Sequence, residues 1–476
     1  MSVEVEKITD LRSFIALCED KGELKRVKAE VDWDLELSHI AKLSEEKNGP
    51  ALLFENVKGY TTPVLTSVFT RTTRLALALN MPSGSSIFEM AKEWIEVMKK
   101  GGIPPTTVTD GPVLENRKTG AEVDLTSFPV PKYFPKDGGR FFGTSVYLVT
   151  KDPETGFVNL GTHRMEVLDK KSLGELLIVG KDAQVTMKKY QARNELMPAA
   201  AVIGGDPRHF LLGGSTLPYG TSEYDVVGAL RGAPVEVIES EVTGLPIPAH
   251  AEIVAEGFID PDPKSYRDEG PFGEFTGYYS KGRNPQPWLD VKRVLHRDQP
   301  IFWASTVGRP PTANVMIHSL AKTASLWTQL NQMQIPGIQS VCFHPGAGRF
   351  WAVISVRQMY PGHGRHVGLA AFGTVVGNYG VKGIIVVDDD IRADDWDRVM
   401  WALSVRYNPV SDTEIIKKGR STPLDPSLPP DQRFITSRIL MDATIPYEWT
   451  EKPELVDLDK DMVEKVKRRW NEFGID

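Results

Sequence analysis

Apolar positions along the chain recur with two periods, and the change from one to the other divides the sequence. In the first hundred residues the period is mostly helical. Asp10 is placed to cap a helix whose Leu11, Phe14, Ile15 and Cys18 share a face. A second helix is predicted from about Ser85 to Lys100, burying Ile87, Met90, Trp94 and Met98, with Gly101 and Gly102 ending it. Six prolines between Pro104 and Pro135 then interrupt any helical period, which predicts a connector wrapping a surface. From Phe142 to about Ala304 the pattern becomes short apolar runs between turn signals. GTSVYLVT, FVNLGTHRMEVL, AAAVIGG, PVEVIES, AEIVAEGF and PIFWAST read as strands, with helical patterns near Ser172–Glu195 and Ser222–Leu230. A barrel or sandwich-like unit is the expectation. A helix over Met316–Met333 leads into a third section, where IQSVCFH, FWAVISV and GIIVVDDD alternate with helices at His366–Val376 and Asp394–Arg406. The Pro-rich stretch STPLDPSLPPDQ reads as loop. A last helix, Lys460–Phe473, carries Met462, Val466 and Trp470 on one stripe and is expected to dock on a neighbouring subunit.

Composition narrows the class. The 476 residues suffice for two or three domains, and 41% hydrophobic with 25% charged residues is globular. The net charge of −7 gives no sign of a nucleic-acid binder. No apolar run has the length of a membrane span, and the N-terminus lacks a signal-peptide core. Two cysteines support neither a disulfide framework nor a cysteine-ligated metal. A cytoplasmic protein with no nucleic-acid or membrane partner is expected.

Four segments carry candidate chemistry. In Arg267-Asp268-Glu269-Gly270-Pro271-Phe272-Gly273-Glu274, two glutamates flank a Gly-Pro-Phe-Gly bend. If the bend brings them into one cavity, one is held protonated and serves as a general acid; otherwise this is a solvated acidic turn. Asn159-Leu160-Gly161-Thr162-His163-Arg164 lies in a strand pattern, where Arg164 suits a carboxylate and Asn159 offers an amide oxygen. Alternation puts His163 on the opposite face, in a structural role; an edge strand with an exposed arginine is the plainer reading. Gly213–Pro218 followed by Ser222-Glu223 offers hard oxygen ligands, or merely a helix cap. Lys382, ahead of Gly383–Asp390, is placed to meet a phosphate, and Asp388, Asp389 and Asp390 read either as metal ligands or as a solvated loop with a helix cap before Ala393. The loop around His363 and His366 reads as a hydrated turn. No Walker loop, dinucleotide fingerprint, nucleophile elbow or H-E-x-x-H is present.

Taken in order, Asn159-x-Gly161-x-x-Arg164, IGGDP at 203–207, SEYDVVGALRG at 222–232, EGPFGEFTGY at 269–278 and IVVDDDI at 385–391 closely resemble the UbiD-type reversible decarboxylases. The resemblance covers almost the whole chain. It implies an α/β (α+β) fold in five parts: an N-terminal lead (1–110), a split-barrel-like flavin-binding domain (111–315), a linker helix (316–335), a C-terminal α/β oligomerisation domain (336–455) and a terminal helix (456–476). It implies prenylated FMN as cofactor, Mn²⁺, and K⁺ or Na⁺. It also implies a dimer or hexamer and a flavin prenyltransferase as supplier of the cofactor. Arg164, Glu269 and Glu274 match the catalytic Glu–Arg–Glu network, with Glu274 as proton donor. Asn159 and Glu223 match ligands of the divalent metal. The third ligand is usually histidine, and here its place falls on Asp182, whose charge Lys181 would offset. Leu160, Gly214, Ser215, Leu217 and Glu223 match the monovalent site. Gly161, Thr162, His163, Lys181 and Lys382 fall among cofactor contacts. Phe275, Ile317 and His318 would line the substrate pocket, and Met441 opens a segment resembling a closing loop. The implied reaction is non-oxidative loss of CO₂ from an aromatic or heteroaromatic acid, through a covalent substrate–cofactor adduct. No histidine follows His366, which disfavours phenolic acids and leaves flat acids, including bicyclic indole or phenazine carboxylates. A flavin-dependent oxidoreductase on a related barrel is the alternative.

Overall fold

The computed structural model describes residues 8–474 apart from 216, 219 and 430. Its centre is a nine-stranded antiparallel sheet. The order is Phe141–Gly143, Met165–Asp169, Ser172–Glu175, Trp288–His296, Ala251–Ile259, Met197–Gly204, Val146–Lys151, Val158–Gly161, and Asn116–Thr119 pairs beside the far end of Trp288–His296. Connectivity forces this sheet to curl. Val158–Gly161 lies at one edge and Met165–Asp169 near the other, yet only residues 162–164 join them. In a flat sheet the six intervening spacings would separate them by roughly 29 Å. The link reaches at most about 14 Å. The edges are therefore drawn together into a half-barrel, and the three linking residues sit at its seam.

Flanking units close around this sheet. A small sheet takes Leu24–Val27, Ala51–Phe54 and Val64–Thr66 from the N-terminal part and Phe302–Trp303 from the end of the barrel. The Asp10 cap forms as expected, reciprocated by Ser13, and Ser86 and Glu89 make a second capping box. The helix Ile87–Lys99 packs on the linker helix Ala313–Gln332, with Phe88 and Trp327 rings 5.4 Å apart. The C-terminal sheet has the order Ile338–Phe343, Trp351–Val356, Gly383–Asp388, Ile435–Ala443, Thr413–Arg420, parallel in its centre and antiparallel at both edges. Both cysteines are free and buried.

Several expectations are corrected. The predicted helix over Ser172–Glu195 is two elements, the strand Ser172–Glu175 and the helix Asp182–Arg193. Leu173 and Leu177 share a helical spacing, but pairing with Val167 and Leu289 holds the first part extended. The proline-rich connector does more than wrap a surface, since it buries Val113, Leu125, Phe128, Val130 and Tyr133 in the main core. The loop around His363 is no hydrated turn: the helix His363–Gly373 begins there and His363 is buried. Asp395, not one of the three aspartates, caps Trp396–Val405. Met441 lies within the strand Ile435–Ala443 rather than in a closing loop. The terminal helix ends at Arg468, followed by a 3₁₀ turn, and buries no side chain in this protomer. No helix among the described residues is long and apolar enough to cross a membrane.

Candidate active site

The seam residues and the Gly-Pro bend meet at one cavity. Gly270 sits at φ +85°, a region that favours glycine, and the backbone on either side is pinned. The Gly270 N–H donates to Glu166 Oε2 (2.6 Å), and the Gly273 N–H donates to Asp137 Oδ1 (2.9 Å). The bend so fixed turns Glu269 and Glu274 toward Arg164. Arg164 Nη2 lies 2.7 Å from Glu269 Oε2, and Nη1 hydrogen-bonds Glu274. The Phe272 ring packs 5.5 Å from the guanidinium carbon. Burial opposes the Arg164 charge, but Glu274 and Glu269 outweigh it and hold the group above its ordinary value. Burial, aided by Glu269, pushes Glu274 up against the pull of Arg164. A buried carboxyl with a raised pKa beside a second carboxylate is the arrangement of a proton donor. Arg164 Nε is buried without a partner among the described residues, so one donor of the fork remains to be used.

His163 does not face away from Arg164. The strand ends at Gly161, alternation is lost, and Thr162, His163 and Arg164 all line the cavity of about 200 Å³. Thr162 is anchored through its N–H and hydroxyl to the Gly213 carbonyl. His163 Nδ1 lies 3.2 Å from the Leu176 carbonyl, and burial drops its pKa to about 4, so it is neutral.

A second part of the lining is basic: Lys181, Lys322 and Arg349, with His318 beside them held well below its ordinary value by burial and so neutral. Among the described residues no carboxylate forms an ion pair with Lys181, Lys322 or Arg349. Burial, reinforced by Arg349 and Lys181, lowers Lys322 to about 7. Burial brings Arg349 to about 9, and its guanidinium stacks 3.3 Å over the Phe275 ring. Asn314 Oδ1, also on this wall, is buried and without a partner among the described residues. Lys322, Arg349 and Asn314 were not legible as site residues, because nothing local sets them apart. The one available signal was the i, i+4 spacing of Asn314, His318 and Lys322, which puts three polar residues on one face of the linker helix.

Glu223 opens the helix Glu223–Arg231, and its Oε2 accepts from the Leu160 N–H at 2.8 Å. Burial raises it to about 8, with Asp182 adding repulsion and Lys181 opposing. Ser222 is no side-chain cap; its hydroxyl is buried without a partner among the described residues. Asp182 is the first residue of its helix, next to the buried Lys181. Asn159 is buried on the strand beside Leu160, and a Cβ at Gly161 would stand 3.5 Å from its amide nitrogen. Among the described residues no three His, Cys, Asp or Glu side chains converge on a metal position. Asn159, Asp182 and Glu223 each offer a hard oxygen, the donor type that suits Mn²⁺. Ser215 Oγ donates to the Leu211 carbonyl (3.0 Å), and a Cβ on Gly214 would meet Ile317 at 2.9 Å. Ile317 is thus a core contact of that loop, and Leu217 is partly buried against the same core.

Several expected residues, among them Asn159, Asp182, Glu223, Glu269, the expected pocket residue Ile317, Lys382 and Met441, do not line this cavity. Lys382 is paired with Asp425 (2.7 Å) and bonded to Ser427, so its charge is already met and it is not part of the lining. Met441 lines a separate, apolar cavity of about 520 Å³ with Trp396, Met400 and Leu403. Phe275 and Phe350 line both cavities and form the wall between them. Asp388 and Asp390 pair with Arg406, and Asp389 with Arg357, so the aspartate run is structural.

Comparison with known proteins gives one answer along most of the chain. Residues 15–94, 106–310 and 315–443 match the N-terminal, Rift-related and C-terminal domains of 3-octaprenyl-4-hydroxybenzoate carboxy-lyase. An uncharacterized protein of Archaeoglobus fulgidus is 33% identical over 98% of both chains. The closed form of vanillic acid decarboxylase from Sedimentibacter hydroxybenzoicus superposes with a TM-score of 0.87 at 30% identity, covering 98% of this chain and 99% of that one. HmfF of Pelotomaculum thermopropionicum, a UbiD-class enzyme in complex with FMN, gives 0.83 at 31% identity, covering 95% and 98%. An evolved dimeric form of HmfF, in complex with prFMN, gives 0.81 at 30% identity over the same shares. The chain belongs to the UbiD family and is a carboxy-lyase of that family.

Proposed function

We propose that the protein is a prenylated-FMN-dependent, non-oxidative decarboxylase of an aromatic or heteroaromatic acid. The observation that carries this is the clamp of Arg164 between Glu269 and Glu274 at a cavity also lined by Lys181, Lys322 and Arg349, which form no ion pair among the described residues. The residues fit the cofactor. Lys181, Lys322 and Arg349 would hold its phosphate, and the neutral His163 and Thr162 flank its ring. Asn159, Asp182 and Glu223 would hold Mn²⁺ beside the phosphate. The carbonyls of Leu160, Gly214 and Leu217, with Ser215, would take K⁺ or Na⁺. When bound, the prenylated flavin supplies the attachment point and electron sink for the carbon that loses CO₂.

The chain's own residues do the rest. Arg164 binds the substrate carboxylate through the part of its guanidinium that lines the cavity and sets its direction. Glu269 fixes the guanidinium. The bond from ring carbon to carboxylate breaks, CO₂ leaves, and Glu274 delivers its proton to that carbon. The reverse sequence is carboxylation. Phe275 and Phe350 keep water from the Glu274 side. The exposed stripe of Met462, Trp470 and Phe473 on the terminal segment fits a contact with a second copy, in a dimer or hexamer.

The test is co-expression with a flavin prenyltransferase, then cofactor mass and absorbance, then an acid panel in deuterated buffer. The panel includes vanillate, indole-3-carboxylate and a phenazine carboxylate. Prenylated flavin with deuterium at the vacated carbon is expected. Plain FMN with redox turnover and no exchange would favour the oxidoreductase reading.

A further inference from the structure

Two acidic residues outside the Glu–Arg–Glu set hold the bend that carries it, one at each end. Glu166, on the strand Met165–Asp169, accepts from the Gly270 N–H at 2.6 Å, beside Glu269. Asp137, in the connector, accepts from the Gly273 N–H at 2.9 Å, beside Glu274. Glu166 has a cation of its own in Arg283, at 3.2 Å. Asp137 is 5% exposed and forms no ion pair among the described residues. Its partners are backbone N–H groups: Oδ1 takes Gly273, and Oδ2 takes Phe134 at 2.9 Å. Burial pushes it up to about 6 against the pull of those groups, so it is charged at neutral pH.

A carboxylate taken from water with no cation beside it is costly. What it does here is tie two segments together. One oxygen closes the connector's own turn, where the Asp137 N–H also donates to the Phe134 carbonyl at 3.0 Å. The other oxygen crosses to the bend. The crossing is reinforced by the Gly138 N–H, which donates to the Pro271 carbonyl at 2.8 Å. The Phe134 ring packs so closely on Gly273 that a Cβ there would stand 2.5 Å from Cδ2. Only glycine fits, and glycine leaves its peptide free to turn. The Asp137 hydrogen bond removes that freedom at the residue before Glu274. On the other side, the Glu274 N–H donates to the Tyr278 carbonyl at 3.0 Å.

We propose that Asp137 is a positioning residue for the proton donor: through the Gly273 N–H it sets where the Glu274 carboxyl stands in the cavity, while Glu166, through the Gly270 N–H, sets the Glu269 brace of Arg164. Neither residue lines the cavity, and neither touches substrate or cofactor. The two tasks are divided along six residues of chain. One hold serves proton delivery, and the other serves the grip on the substrate carboxylate.

The assignment rests on the proposed decarboxylation, and its experiment has two arms so that the two can fail apart. The first arm uses apoprotein and reads hydrogen–deuterium exchange of single amides by fragmentation mass spectrometry. In Asp137→Ala the Gly273 amide should exchange about tenfold faster or more, the worth of one hydrogen bond, while the Gly270 amide keeps its wild-type rate. Glu166→Ala should give the reverse. Unchanged exchange at Gly273, or equal loosening of both amides in Asp137→Ala, overturns the proposal. The second arm reads kcat and KM of the holoenzyme per bound cofactor. Asp137→Ala should lower kcat by about 10²-fold, the scale of a group misplaced by about 1 Å, with KM near wild type. Asp137→Asn can still accept from Gly273 and should keep more of kcat. Glu166→Ala should raise KM. A loss through KM alone in Asp137→Ala, or equal losses in its Asn and Ala variants, would overturn the assignment. If no acid turns over, the proposed function fails, and the exchange arm still decides whether Asp137 holds the bend.

Discussion

The two walls of the cavity differ in how they handle charge. On one, Arg164 is met by Glu269 and Glu274 within the protein, and Glu166 behind them is met by the Gly270 N–H and Arg283. On the other, Lys181, Lys322 and Arg349 repel one another with no carboxylate paired to them among the described residues. The first wall has carboxyls in excess of its cation, so a proton must be shared there. The second has cations in excess, so an anion must come from outside. The contrast separates the roles: proton handling is built in, and anion binding is left to a ligand.

The contrast can be broken most directly at the acidic wall. Glu274→Gln removes the donor and should lower decarboxylation by roughly 10²–10⁴-fold with cofactor still bound. Single-turnover deuterium incorporation checks this. Arg164→Met should cost about 10²–10³-fold in turnover. It also leaves two buried carboxyls unmatched, and about 3–5 kcal/mol of stability should go with the pair. Urea unfolding alongside kcat separates the two losses. The cationic wall gives smaller effects, on binding rather than chemistry. Lys322→Met should weaken FMN retention by about 10–100-fold, the worth of a charge-assisted hydrogen bond. The sign with pH follows from Lys322 at about 7. Above that value the amine is neutral, and a phosphate beside it restores its ordinary basicity. FMN binding above pH 7 should therefore take up a proton, which calorimetry in buffers of different ionisation enthalpy would read. Smaller again, Asp182→Asn should weaken Mn²⁺ retention about tenfold, measured by metal content after dialysis.

Much of the acidic wall was legible because it is local. Glu269 and Glu274 are separated by a bend whose residues limit where each can point, and Arg164 lies in a motif of six residues. The basic part of the lining was legible only at Lys181 and His318, because Lys322 and Arg349 stand in no motif and join Lys181 only through the fold. The strands Thr413–Arg420 and Ile435–Ala443 were missed for another reason. Thr413–Arg420 is an edge strand and Ile435–Ala443 lies one place in, and both mix polar with apolar residues, without the continuous apolar run that marks Gly383–Asp388. Lys382 shows the opposite error: a lysine in the right place along the chain whose charge Asp425 already claims.

The small N-terminal sheet borrows its last strand, Phe302–Trp303, from a part of the chain about 240 residues beyond Val64–Thr66. At the pace of a ribosome, that interval is roughly 10–50 s. For that time Val64–Thr66 has emerged with one edge bare, and an unpaired edge invites other chains. The barrel must finish before the first hundred residues can be sealed. Synthesis thus runs from the N-terminus while completion runs backward, and a chain cut short anywhere before residue 302 leaves that sheet open.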